Sequence, residues 1–149
     1  GKEFLSNIDQ ENFAKKLVNS GKAKYVAVSL GVKGAFLACK EGLFYQSTPS
    51  VQVKSTIGAG DSMVAGLIYG INKGYKPKEI LKMGVACGVA TIMSEGTSLA
   101  SIENIKKVQQ LMSSWSLALI KLKENPSYIF NKSGILKTII DGYHFISKM

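Results

Sequence analysis

The sequence contains no arginine: all 19 basic residues are lysines, set against 10 acids for a net charge of +9. Base reading and two-point gripping of phosphate lean on the planar guanidinium fork, which a lysine point charge does not reproduce. The lysines are also spread evenly, nine against five acids over residues 1–75 and ten against five over 76–149. No basic arm or stripe marks a nucleic-acid surface, so no nucleic-acid partner is expected. Cysteine is scarce too. Cys39 and Cys87 stand far apart without a CxxC spacing, and His144 is the single histidine, which supports neither a disulfide framework nor a zinc site. A reduced, cytoplasmic setting is the expectation. Long apolar runs are missing as well: none reaches the roughly 18 residues that a membrane span needs, and Gly1-Lys2-Glu3-Phe4-Leu5 lacks the apolar core of a signal peptide. A soluble chain with no membrane partner follows.

What is present is one domain's worth of core-forming chain, 149 residues of which 46% are hydrophobic. Phe13, Ala14, Leu17 and Val18 share one face of a helix over residues 8–20, with Gly21 just past its end. Tyr25 to Leu30 is β-branched and apolar, a pattern that predicts a strand buried on both faces of a parallel sheet. Ala35 to Cys39 and Leu43 to Gln46 read as strands around a Lys40-Glu41-Gly42 turn, and Val51 to Lys54 as a further edge strand. From Gly58 the period becomes helical, with Met63, Val64, Leu67, Ile68 and Ile71 recurring and Gly66 and Gly70 placed for close packing. A helix from Pro77 to about Met93 is apolar almost all round and should be central, and Ser101 caps another with Ile105, Val108, Leu111 and Met112 inward. The order of these elements predicts an α/β fold. Residues 113–149 carry no recognisable chemistry and are left as an unassigned tail.

The stretch that carries chemistry is Ser55-Thr56-Ile57-Gly58-Ala59-Gly60-Asp61-Ser62, lying between the last strand and a long apolar helix. Its glycines allow close backbone approach, and the amides of a first helical turn are unpaired donors at the positive end of the helix dipole. That makes an anion hole from main chain. The Walker pattern GxxxxGK[ST] is absent, and the third glycine of a dinucleotide fingerprint would fall on Met63. Asp61 stands at the mouth of this hole, where a base could take a proton from an attacking hydroxyl while amides stabilise charge on a transferred phosphoryl group. The same residues also fit a plain glycine turn in which Asp61 only caps the helix.

Lys54 to Gly66, Lys-Ser-Thr-Ile-Gly-Ala-Gly-Asp-Ser-Met-Val-Ala-Gly, resembles the second signature of the PfkB (ribokinase-like) carbohydrate kinases. Val26-Ala-Val-Ser-Leu-Gly-Val-Lys-Gly-Ala35 is similar to that family's strand and nucleotide loop, and Gly84 to Gly96 to its buried adenine-side helix and Ser-Glu-Gly turn. The Ser-Met-Val-Ala-Gly run looks most like the 1-phosphofructokinase, tagatose-6-phosphate kinase and minor 6-phosphofructokinase branch. The resemblance implies a Rossmann-like α/β ribokinase fold, with residues 1–112 as its C-terminal nucleotide-binding portion. It implies ATP-dependent phosphoryl transfer to a hydroxyl of a phosphorylated ketohexose, with Asp61 as base and Gly58, Ala59 and Gly60 supplying the anion-hole amides. Ser29, Gly31, Lys33, Gly34, Thr56 and Ile57 would lie along the nucleotide, Lys33 either near phosphate or solvated, and Val85 and Gly88 would border the adenine. Mg2+ would be held mainly through the nucleotide phosphates with no protein ligand set. A monovalent cation would have its place at Ser55, Ile57, Thr91, Ser94 and Gly96.

The same resemblance puts the sugar-phosphate pocket, a β lid and an Asn-x-x-Glu element linked to magnesium outside these residues, and a homodimer formed through that lid belongs to the complete form. The alternative expectation is a truncated, non-catalytic module that binds a nucleotide or a partner protein.

Overall fold

The computed structural model describes residues 7–124. The chain divides into two compact units, residues 1–109 and 110–149. Three strands, β1 (Tyr25–Ser29), β2 (Ala35–Cys39) and β3 (Gly42–Gln46), form a sheet in that order. Four helices accompany them: α1 (Asn7–Asn19), α2 (Ala59–Asn72), α3 (Pro77–Ile92) and α4 (Ile102–Glu124). No helix among the described residues is long and apolar enough to cross a membrane.

Both strand pairings are antiparallel, Tyr25↔Cys39 to Ser29↔Ala35 and Ala35↔Gln46 to Cys39↔Gly42. The parallel, doubly buried strand expected at 25–30 is therefore corrected. β1 has one partner strand among the described residues and is half-buried, whereas β2, hydrogen-bonded on both edges, is buried along its whole length. Alternation along β2 explains the packing on its two faces. Phe36 and Ala38 join Ala14 and Val18 of α1 in one apolar cluster, edged by Val26, Val28, Leu30 and Leu43. Helix α3 packs on β2 and β3 from the other side.

Val51–Lys54 is not a strand. The amides of Lys54 and Ser55 donate instead to the carbonyl of Ile92, at 2.8 and 3.3 Å. The last carbonyls of a helix lack intrahelical partners, so the end of α3 takes up these donors in place of a neighbouring strand.

Helix α3 is buried at Ile80, Leu81, Val85, Ala86, Cys87, Val89 and Ala90, as the apolar pattern predicts. In α2 the glycines pack closely as expected, but part of the apolar set does not join them. Ser62, Gly66, Leu67 and Gly70 are buried, while Val64, Ile68 and Ile71 are exposed. Space decides this. A Cβ on Gly66 would lie 2.8 Å from Cys87 Sγ and from the Met83 carbonyl, and one on Gly84 would lie 2.6 Å from Leu67 Cγ. Only the glycine face lets α2 reach α3 so closely. The Ser101 hydroxyl accepts from the Asn104 amide at 3.1 Å, capping α4 as expected. That helix runs to Glu124, beyond the point where the sequence pattern gives out. His144 and the other tail residues after 124 lie outside the described residues.

Candidate active site

The first turn of α2 forms around Gly58, the helix N-cap, whose φ of 77° and ψ of 1° place it in the left-handed region that favours glycine. The Ile57 amide turns back to Ser55 Oγ at 3.3 Å, the Ala59 amide makes a long 3.4 Å contact with the Thr56 carbonyl, and the Ser62 amide donates to the Gly58 carbonyl at 2.9 Å. The amides of Gly58, Gly60 and Asp61 have no hydrogen-bond partner among the described residues. Of the three amides expected to face an anion, those of Gly58 and Gly60 are without partners, Ala59 leans back towards Thr56, and the Asp61 amide of the same turn is also without a partner among the described residues. A Cβ on Gly60 would meet nothing within 4 Å, so this surface is open.

Asp61 is exposed in that turn, and its carboxylate has no hydrogen-bond or ion-pair partner among the described residues. The cap residue is Gly58 and no side chain bonds the cap amides. The reading of Asp61 as a helix cap therefore falls, because the carboxylate does not accept the hydrogen bond that capping requires.

Ser29, Gly31 and Lys33 are exposed at the end of β1 and in the 3-10 turn Gly31–Lys33 that follows. That turn is tied by Leu30 N to Gly34 O at 2.8 Å and Gly34 N to Gly31 O at 3.0 Å, and by Thr48 Oγ1 donating to Val32 O at 2.5 Å. Gly34 behaves differently from the rest of the predicted nucleotide loop. It is buried, and a Cβ there would sit 2.0 Å from the Gln46 carbonyl oxygen. Its glycine is explained by the passage of residues 46–47, so it does not offer open backbone to a ligand.

Two further expected contacts are revised in the same way. Val85 is 3% exposed and packs in the core. The Cβ direction of Gly88 is filled by the Ala59 carbonyl at 3.1 Å and Met63 Cβ at 3.4 Å. Gly88 thus lies directly behind the first turns of α2. Thr56 and Ile57 are exposed beside the turn, Ile57 at 63%. No hydrogen bond joins the 29–34 loop to the α2 turn among the described residues.

Behind the turn, Thr91 Oγ1 donates to Ser62 Oγ at 2.7 Å and lies 3.1 Å from the Cys87 carbonyl. The Thr91 carbonyl accepts from the Ser94 amide at 2.9 Å. Lys54 pairs with Glu95 at 3.0 Å. Sequence reasoning missed both side-chain pairs, and the one available signal was Ser62 falling four residues before Gly66 on the packing face. Among the described residues no three His, Cys, Asp or Glu side chains gather into a metal site.

A family model described as pfkB family carbohydrate kinase matches residues 2–105. The ATP-dependent 6-phosphofructokinase isozyme 2 of Escherichia coli K12 is 37% identical over 112 residues, covering 75% of this chain and 36% of that protein. The 1-phosphofructokinase of Bacillus subtilis 168 is 40% identical over 83 residues, covering 56% and 27% respectively. The crystal structure of Escherichia coli phosphofructokinase-2 in complex with potassium superposes with a TM-score of 0.72 at 37% identity, over 75% of this chain and 36% of that one. Methanocaldococcus jannaschii nucleoside kinase, an archaeal member of the ribokinase family, shares the fold at a TM-score of 0.55 and 21% identity, over 70% of this chain and 38% of that one. The chain spans about a third of the length of the first of these relatives, 36%. With the glycine turn, the exposed Asp61 and the helix packing behind them all inside the matched residues, the chain belongs to the pfkB family of carbohydrate kinases, built on the ribokinase-like α/β fold.

Proposed function

We propose that this chain is the nucleotide-binding and proton-accepting part of an ATP-dependent kinase for a phosphorylated ketohexose. The observation that carries the reading is the first turn of α2, where the unpartnered amides of Gly58, Gly60 and Asp61 flank an exposed, unpaired Asp61 carboxylate. Donors without partners at a helix N-terminus suit a phosphoryl oxygen. A neighbouring free carboxylate suits the proton of an acceptor hydroxyl. The kinship with 6-phosphofructokinase and 1-phosphofructokinase supports the choice of acceptor class.

In this reading the three amides hold negative charge on the moving phosphoryl group, and Asp61 takes the hydroxyl proton as the new P–O bond forms and the bond from the γ-phosphorus to the bridging oxygen breaks, ADP leaving with that oxygen. Ser29, Gly31 and Lys33 present exposed backbone and charge to the nucleotide, and Gly31 has open space where a Cβ would stand. Bound MgATP supplies the phosphoryl group, with the magnesium carried mainly on its phosphates. A monovalent cation beside the turn belongs to the same proposal, supported by the potassium complex of the Escherichia coli relative. Thr91 is its weakest ligand candidate, because its hydroxyl and carbonyl are already engaged. Self-association of the complete form is supported by a structure of that relative described as a tetrameric inhibited form.

Calorimetric titration of MgATP into the 149-residue chain and into Gly58→Asp tests the reading. Saturable binding that the variant loses is the expected result, since the new carboxylate occupies the anion position. A folded chain that binds no MgATP favours the module without catalysis. In the complete enzyme, Asp61→Asn should keep nucleotide affinity and lower turnover by about 10²–10⁴; unchanged turnover removes Asp61 from the mechanism.

A further inference from the structure

Helices α2 and α3 meet along small residues, with Gly66 against Cys87 and Met83, Gly70 against Ile80, Gly84 against Leu67, and Gly88 against Ala59. Such a seam sets how closely the helices lie. Apolar contact is non-directional, so the seam alone does little to fix their rotation or sliding. At the end of the seam beside the anion hole stands a directional contact, Thr91 Oγ1 to Ser62 Oγ at 2.7 Å, with Thr91 1% and Ser62 8% exposed.

The placement of this pair is specific to the turn that carries the free amides. Ser62 closes the turn, its amide donating to the Gly58 carbonyl at 2.9 Å. Thr91 reaches the other end of that bond as well, its Cγ2 lying 3.9 Å from the position a Cβ on Gly58 would take. One residue of α3 thus bonds Ser62 and stands on the open Cβ side of Gly58, the two residues whose hydrogen bond shapes the turn. Stability does not call for hydroxyls here, because replacing both partners of a buried hydrogen bond by apolar groups of the same shape is close to neutral.

We infer that the Ser62–Thr91 hydroxyl pair is a positioning device that locks the first turn of α2 onto α3, so that the amides of Gly58, Gly60 and Asp61 converge with the Asp61 carboxylate on one ligand. The inference rests on the proposed function. Thr91 is a positioning residue, acting through Ser62 without itself meeting the nucleotide.

The test titrates MgATP into wild type, Thr91→Val, Thr91→Ser, Ser62→Ala and Ile80→Val, with unfolding midpoints and amide hydrogen exchange followed in parallel. Ile80→Val trims a buried side chain at the far end of the same seam, where Gly70 sits. Thr91→Val should weaken MgATP binding about 10-fold and Thr91→Ser should restore it to within about 3-fold. Ile80→Val should lower the midpoint with affinity unchanged. Unaltered affinity in Thr91→Val, or losses that simply track stability across both sites, overturn the inference. If wild type binds no MgATP, the proposed function fails and the pair is judged by exchange alone. Faster exchange of the Ser62 amide in Thr91→Val, relative to the Tyr75 amide that donates to Gly70 at the far end, supports the lock. Equal acceleration of both refutes it. Ser62→Ala, which leaves Thr91 its Cys87 carbonyl, gives the same exchange readout if Thr91→Val does not fold.

Discussion

Replacing Gly34 by alanine should be among the most damaging single changes outside the large core side chains. Its φ of 100° and ψ of −130° lie where L-residues are strained, which costs about 1–3 kcal/mol. The new Cβ would stand 2.0 Å from the Gln46 carbonyl oxygen and 2.8 Å from Ser47 Cα. Both are backbone atoms, so no side-chain rotation relieves the overlap, and overpacking of this kind adds about 1–3 kcal/mol. A total of about 2–6 kcal/mol would move a urea midpoint by about 1–3 M at a slope of about 2 kcal/mol/M, usual for small domains. Gly31→Ala is the matched control. Its φ of 61° is also left-handed, but nothing lies within 4 Å of the added Cβ, so only the dihedral cost of about 1–2 kcal/mol applies. Urea unfolding followed by circular dichroism separates the two variants. A Gly34→Ala midpoint no lower than that of Gly31→Ala would refute the packing argument. MgATP affinity should respond in the opposite order per unit of stability lost, since Gly31 offers open backbone and Gly34 does not.

Gly66→Ala would press its Cβ to 2.8 Å from both Cys87 Sγ and the Met83 carbonyl, so a loss of about 1–3 kcal/mol is expected in thermal or urea unfolding. Adding Cys87→Ala should recover only the part due to sulfur, because the carbonyl stays. Burial pushes the Cys87 thiol above its ordinary 9.0, and burial together with a hydrogen bond to Glu41 raises Cys39 likewise. The unfolded chain then loses these protons first, so stability should be complete below about pH 9 and decline as pH rises towards the folded thiols' ionisation. Urea midpoints at about pH 8 and about pH 10.5 would read this decline, which should shrink in Cys87→Ala and be refuted by a flat profile. Tyr45, raised to about 12 by desolvation and its hydrogen bond to Glu11, should lag other tyrosines in an ultraviolet titration. The Lys54–Glu95 pair is 43% and 83% exposed, so Glu95→Gln should change stability by less than about 1 kcal/mol, and a larger loss would show the pair anchors the 54–55 segment.

Local chemistry made much of this protein readable from its residues. The helical stretches announce themselves because apolar side chains recur at helical spacing and because Pro77, Ser101 and Gly21 mark ends in the usual way. The hairpin of β2 and β3 is legible from two short apolar runs around Lys40-Glu41-Gly42. The Gly58–Asp61 turn stands out because its glycines and carboxylate have a meaning within four residues.

What the sequence left undecided depends on partners distant along the chain. An apolar β-branched run signals a strand, but its direction and how many neighbours bury it depend on which strands pair, and β1 turned out to be half-buried and antiparallel. Val51–Lys54 has an alternating pattern, yet the amides of Lys54 and of Ser55 after it found a helix end. The glycines of α2 marked its close-packing positions in the sequence, but that Val64, Ile68 and Ile71 would stay exposed was set by how α2 and α3 meet. Gly34 and Gly31 are the same residue in the same loop, and only the passage of Gln46 behind one of them separates a packing role from an open one. The Ser62–Thr91 contact, spanning 29 residues, has no local trace beyond the place of Ser62 one turn before Gly66, because a hydrogen bond between two small hydroxyls exists only once two helices are brought side by side.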